Sequence, residues 1–155
     1  MPESVSMRGL RRLAAALAAV AFAVVCGRGG DPVRGTLDRM ASAAHDRDAA
    51  ALMNQLTEDF RAADGSGRSE VEALVRRTFA GYETLDVTLA DVEIERSATA
   101  ARARFRTRLS GRPRAIAGLE GLVPSSASYR FDVRLTRQGR VWKAAWASWN
   151  PEEGS

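Results

Sequence analysis

Cysteine, histidine and lysine each occur once in this chain of 155 residues, as Cys26, His45 and Lys143, and aromatic residues make up only 6% of it. One cysteine excludes an internal disulfide framework and any cysteine-rich metal site. One histidine means that no Ser-His-Asp arrangement can be built without His45. That residue falls where a first helix is expected to end, a position at which the helix dipole and solvent favour the imidazolium. No further ligands at metal-binding spacing accompany it. A glycine-rich phosphate loop and a Gly-x-Ser-x-Gly elbow are both missing, so no cofactor is expected. The longest apolar run, Leu13 to Cys26, has 14 residues, short of the roughly 20 that cross a bilayer.

What is present suits one folded domain. Hydrophobic residues make up 45% and charged residues 27%, which excludes a disordered tail and a multispan membrane protein. The net charge is only +4, yet it is unevenly placed: residues 36–97 hold 7 basic and 13 acidic side chains, and residues 98–150 hold 11 and 2. The alternating Arg102, Arg104, Arg106 and Arg108 could form a phosphate-binding stripe. With a single lysine and no interleaved exposed aromatics, the expectation is a solvated strand face paired to Asp91, Glu93 and Asp132, and no nucleic-acid partner.

The N-terminal segment reads as an export signal. Arg8, Arg11 and Arg12 precede the apolar run, and Gly27-Arg28-Gly29-Gly30-Asp31-Pro32 follows it. A basic segment, a short Ala/Val-rich core and a break are the pattern of a secretory signal. Met7 opens the basic segment directly and is a second candidate start. Cys26 stands where the apolar run stops, which resembles the lipidation site of a bacterial lipoprotein, although Val25 occupies a position usually held by a small residue. The alternative is cleavage after Ala23, leaving a free thiol in a soluble periplasmic protein. The expected organisation is therefore 1–26 signal, 27–35 tether and 36–150 domain, exported and either membrane-anchored through Cys26 or free in the periplasm.

Helical spacing of Leu37, Met40, Ala41 and Ala44 predicts a first helix capped by Thr36. Ala51, Leu52 and Leu56 predict a second, capped by Asp46 or Asp48. Thr57 to Asp64 is a brief strand or turn containing Phe60. Ser69 and Glu72 suggest a capping box for a third helix, whose apolar face is Val71, Leu74, Val75, Phe79 and Tyr82. From Leu85 the period becomes two. Leu85, Val87 and Leu89 alternate, then Val92 and Ile94 alternate on the opposite parity, which predicts a β-bulge near Ala90. Further strands are predicted through Ala101–Leu109, Tyr129–Leu135 and Trp142–Ser148. A Gln138-Gly139 turn would place Leu135 opposite Trp142, Val133 opposite Ala144 and Phe131 opposite Trp146, all on one face. A Ser97-Ala98 turn would set Ile94 against Ala101 and Val92 against Ala103. Residues 111–128 are a long insertion, and loops of that length are usually functional or mobile.

Two short helices, then Thr57-Glu58-Asp59-Phe60-Arg61, a third helix and four antiparallel strands ending in Trp146-Ala147-Ser148-Trp149 resemble the nuclear transport factor 2-like (cystatin-like α+β roll) superfamily. The resemblance runs through Leu37–Phe60, Ser69–Ile94 and Tyr129–Trp149, and rests on element order and apolar pattern. It implies an α+β fold in which a bent four-stranded antiparallel sheet wraps helices around a cone-shaped cavity. The cavity lining would include Phe79, Tyr82, Phe105, Phe131, Trp142 and Trp146. Members include cyclases and ketosteroid isomerase as well as non-catalytic binding domains, so the fold fixes no activity. The isomerase branch uses a carboxylate base with a tyrosine and a protonated carboxylic acid. Tyr82 and Tyr129 are present here, but no acid falls on the inward parity of the strands. The expected role is a non-catalytic envelope domain that binds a small apolar ligand or an envelope protein, with homodimerisation through the sheet as a further expectation. The alternative is a small cyclase- or isomerase-like enzyme.

Overall fold

The computed structural model describes residues 30–115 and 123–153. The export signal, Cys26 and the apolar stretch Ile116–Leu119 lie outside the described residues. Three helices and five strands follow in the order α1 (Pro32–His45), α2 (Ala49–Met53), β1 (Leu56–Ala62), α3 (Arg68–Ala80), β2 (Tyr82–Arg96), β3 (Ala100–Pro113), β4 (Ser126–Gln138) and β5 (Val141–Glu152). No described helix is long and apolar enough to cross a membrane.

The helix ends follow from side chains that satisfy orphan amides. The Asp31 carboxylate accepts from the Val33 amide at 2.8 Å, and Pro32 takes the first helical position, where its missing N–H costs nothing. Helix α1 thus begins four residues before the expected Thr36 cap, inside the stretch expected to be a tether. Thr36 is instead wholly buried, and its hydroxyl donates to the Trp142 carbonyl at 3.1 Å. Asp48 caps α2 by accepting from the Ala51 amide at 2.9 Å, as the sequence suggested. At α3 the N-cap is Gly67 rather than Ser69, and only one half of a capping box forms: the Gly67 amide donates to the Glu70 carboxylate at 3.0 Å.

The strands form one sheet in the order β1-β5-β4-β3-β2. Neighbours from β2 to β5 are antiparallel, as expected, and β1 adds a fifth strand parallel to β5. The expected four-stranded sheet thus gains an edge strand. The cause is Phe60: at 2% exposure it pins Leu56–Ala62 to the core. The predicted bulge in β2 lies between Ala90 and Glu93, where Asp91 takes a positive φ of 51°. Bulges bend and twist a sheet, and this one lets the long β2–β3 ribbon curl over the helices.

Next to both turns the register differs from the sequence expectation by two residues. Ile94 faces Ala103 rather than Ala101, and Leu135 faces Ala144 rather than Trp142. An even shift leaves the side chains it carries on their expected faces, so the apolar pattern alone could not detect it. Beyond Leu135 the shift in the second hairpin grows to three, with Val133 opposite Ala147 and Phe131 opposite Trp149. The turns themselves sit one residue later than expected, with Arg96 paired to Ala101 and Gln138 to Val141.

The main core lies between α1 and the concave face of the sheet. Val33, Leu37, Ala103, Val133, Leu135, Trp142 and Ala144 are all nearly inaccessible. A smaller cluster joins Ala49, Phe79, Tyr82 and Leu85, with Val123 packed against it. Gly111 marks the tightest backbone approach: a Cβ there would sit 2.2 Å from the Thr84 carbonyl oxygen and 3.0 Å from Tyr82 Cδ1. Gly111→Ala is therefore expected to destabilise the domain by about 1–3 kcal/mol. Gly35→Ala, inside α1 where a Cβ meets only the Arg39 guanidinium at 3.5 Å, is expected to stabilise it by about 0.5–1 kcal/mol. Urea denaturation of the two variants checks both signs.

Candidate functional site

One row of aromatic rings crosses the concave face. Register puts Phe105 of β3, Phe131 of β4 and Trp149 of β5 side by side. The Phe105 and Phe131 rings stack with centroids 5.3 Å apart and planes within 3°, and Phe131 meets Trp149 at 6.2 Å. Tyr129 meets Phe131 edge-on at 6.4 Å. Phe105 is buried, whereas Tyr129, Phe131 and Trp149 are half-buried. The row is thus the part of the apolar face that the helices leave partly accessible.

Trp149 occupies the place expected for Trp146. The cause is a second bulge, in β5: Leu135 pairs with Ala144, but Arg134 pairs with Trp146, so Ala145 is an extra residue. From that point every β5 side chain changes face. Trp142 and Ala144 point to the core before the bulge, and Ala147 and Trp149 do so after it. Trp146 is sent to the other face, where the Arg134 guanidinium carbon stands 4.5 Å from its ring centroid. That cation–π contact turns an amphipathic ring towards a charged surface at little cost. The run Ala144-Ala145-Ala147 has no size contrast to betray the slip, so strict alternation misassigned the two tryptophans.

The other expected lining residues separate into packed core and partly open row. Trp142 is 5% exposed and lies under α1. Phe79 and Tyr82 belong to the smaller cluster. The Tyr82 hydroxyl donates to the Pro124 carbonyl at 2.8 Å, tying β2 to the far end of the long β3–β4 connection. Burial pushes the Tyr82 phenol up from its ordinary value, and nearby Tyr129 adds to the shift. Tyr129 and Trp149 are the row members that the sequence did not nominate.

Proton-transfer groups are sparse on this face. The buried polar side chains among the described residues are Thr36, Thr57 and Thr107, none of which titrates near neutral pH. His45 stands at the end of α1, well exposed, with Nδ1 3.0 Å from Asp86. No described group of three or more His, Cys, Asp or Glu side chains is gathered as metal ligands would be. Glu120 falls outside the described residues.

The opposite face of the sheet carries the arginine ladder, and Arg102, Arg104 and Arg106 of it are paired. Arg104 contacts Glu95 at 2.9 Å and Glu93 at 3.4 Å, and Arg106 reaches Asp91 and Glu152 at 3.3 Å each. Arg130 also meets Glu152, at 2.7 Å. Arg102 donates from Nε to Asp132 at 2.9 Å. Apart from Arg106–Glu152, which reaches across β4, these are neighbours on adjacent strands, each worth roughly 0.2–1 kcal/mol.

Compared as a sequence, the chain matches no protein-family model and no curated protein. Compared as a structure, it is similar to an NTF2-like protein of unknown function from Pseudomonas putida (19% identity, TM-score 0.62, covering 79% of this chain and 85% of that one). It is also similar to a protein provisionally called a dehydratase of the NTF2-like family, from Streptomyces avermitilis (16% identity, TM-score 0.66, 79% and 95%). A third likeness is to Bd1075 of Bdellovibrio bacteriovorus (12% identity, TM-score 0.64), where 77% of this chain spans only 40% of that one. The described domain has the NTF2-like, α+β roll fold. Proteins with this fold include both a provisional dehydratase and proteins of unknown function, so the fold alone decides neither enzyme nor binding module.

The Arg102–Asp132 pair gives the outer face a pH signature. The hydrogen bond from Arg102 holds the Asp132 carboxyl below its ordinary value. A carboxyl whose pKa falls on folding contributes stability above its unfolded pKa and loses it as pH drops through the folded value. Asp132→Asn is therefore expected to be less stable than the parent at neutral pH. The gap should hold down to about pH 4 and close at still lower pH. Thermal unfolding of both proteins between neutral and strongly acid pH checks this, and a gap that widens in acid would contradict it.

Proposed function

We propose that this chain is an exported lipoprotein whose roll domain binds a small apolar, ring-containing molecule without transforming it. The observation that carries the reading is the half-buried Tyr129-Phe131-Trp149 surface backed by Phe105. Such a surface gives a flat apolar molecule stacking area and offers Tyr129 as a polar handle. Proton transfer needs an ionisable side chain within hydrogen-bond reach of the ligand. On the concave face of the described residues no carboxylate or histidine meets that need. The Tyr82 hydroxyl is already engaged with the Pro124 carbonyl, and its raised pKa makes it a weaker acid. Export and anchoring through Cys26 rest on the basic-then-apolar segment that ends at this cysteine.

Titration of the purified protein with 1-naphthol is expected to quench tryptophan emission in the micromolar range. Phe131→Ala should weaken binding about 2–12-fold, the equivalent of losing 0.5–1.5 kcal/mol of ring stacking. Trp149→Phe should remove most of the quenching signal. Turnover of a ketosteroid or a polyketide-like dehydration substrate, lost on Tyr82→Phe, would replace the binding reading by the enzyme one.

The anchor is tested in a bacterial host. The full chain should take up radioactive fatty acid and partition into detergent, and Cys26→Ala should abolish both. Label that survives the substitution, or a mature N-terminus at Val24, would instead give a soluble periplasmic protein.

A further inference from the structure

The pole of the domain where the described chain begins carries unbalanced positive charge. Helix α1 starts there at Pro32, and the two hairpin ends lie side by side, with the Arg137 amide donating to the Thr99 carbonyl at 2.9 Å. Between them is a cleft of about 340 Å³ lined by Pro32, Arg96, Arg137, Arg140 and Trp142. Arg96 is paired with Asp31 at 3.2 Å, and that carboxylate oxygen is already shared with the helix cap. Arg137 donates from Nε to the Gly139 carbonyl at 2.9 Å. Neither Arg137 nor Arg140 has a carboxylate within ion-pair distance among the described residues. On the sheet face Arg102, Arg104, Arg106 and Arg130 are paired, Arg134 covers Trp146, and Arg108 has no ion pair among the described residues. Beside Arg140, Val141 is 48% exposed, one of two large apolar side chains so placed among the described residues.

We propose that this arginine pole seats on a bilayer surface containing anionic lipid, with Arg137 and Arg140 on the headgroups and Val141 at the interface. The inference rests on the Cys26 anchor proposed above. Cys26 lies five residues before Asp31, and a chain that short spans at most about 18 Å fully extended. A lipid on Cys26 would therefore keep this pole within reach of the headgroups, and the attraction, which falls off within about one Debye length, acts once the pole touches them. Basic residues so placed are drawn to anionic lipid. Seating this pole also orients the site. Tyr129 lies eight residues from Arg137 along β4, about 26 Å at strand rise, so the aromatic row would face away from the membrane and towards soluble ligands.

The test uses the full chain purified in its lipid-modified form, carrying a fluorophore on Ala98→Cys at the pole or on Ser125→Cys at the far end. It is bound to vesicles of phosphatidylcholine alone or with one-quarter phosphatidylglycerol, each with a headgroup quencher. Quenching at position 98 should be several-fold greater with phosphatidylglycerol, should fall at high salt, and should be lost in R137S/R140S. Position 125 should stay unquenched in both lipids. Equal quenching at 98 in both lipids, quenching unchanged in R137S/R140S, or greater quenching at 125 would overturn the proposal. So would loss of quenching to inorganic phosphate at constant ionic strength, which would make the pole a site for a soluble anion. Flotation of the chain against Cys26→Ala reports the anchor separately. A chain that floats through Cys26 but gives no lipid-dependent quenching at 98 refutes the seating alone, and one that never floats refutes both readings.

Discussion

The extra residue at Ala145 in β5 is the constraint on which the site depends. Before it, β5 turns Trp142 and Ala144 to the core beneath α1; after it, Ala147 and Trp149 take over that side. Because strand side chains alternate with a period of two, one inserted residue exchanges the faces of everything downstream. The slip puts Trp149 beside Phe131 and Phe105, completing a row of rings across three strands. It also sends Trp146 to the charged face, where Arg134 covers it. Without the bulge, Trp146 would stand in the apolar row and Trp149 among the arginines.

The bulge at Asp91 in β2 does complementary work. It bends the β2–β3 ribbon, and the tight contact of Gly111 with Thr84 keeps those two strands close at their far end. The curved sheet closes over α1 on one side, where Thr36 donates to the Trp142 carbonyl and Val33 and Leu37 fill the space. Towards Tyr129 the helices do not fill the curve, and the rings stay half-buried. A packed end and a partly open end thus follow from where the chain spends its large side chains. The same division separates the arginine pole, next to the packed end, from the aromatic row.

Much of this architecture was legible in the sequence, for a physical reason in each case. The parity change between Leu89 and Val92 announced the β2 bulge because large apolar residues stand on both sides of it. The period of Ala101 to Leu109 gave β3, its buried face and its arginine face together. Four features were hidden. The even register shifts next to the turns preserve the faces of the residues they carry and leave no trace in the pattern. The β5 bulge sits among alanines, whose small side chains pass on either face. Helix α1 starts early because Asp31 and Pro32 form a cap, while Gly35 and the preceding glycines suggested a tether. Strand β1 was ambiguous because seven residues with two adjacent acids, Glu58 and Asp59, read equally as a turn; burial of Phe60 decides it.

Trp149, not Trp146, belongs to the half-buried aromatic row. Fluorine NMR of the protein labelled with 5-fluorotryptophan tests it directly, with the three resonances assigned by single Trp→Phe substitutions. Titration with 1-naphthol should shift or broaden the Trp149 resonance and leave Trp146 in place, while Arg134→Ser should move Trp146 and not Trp149. A Trp146 resonance that follows the titration while Trp149 stays still would contradict both the β5 bulge and the binding surface built on it.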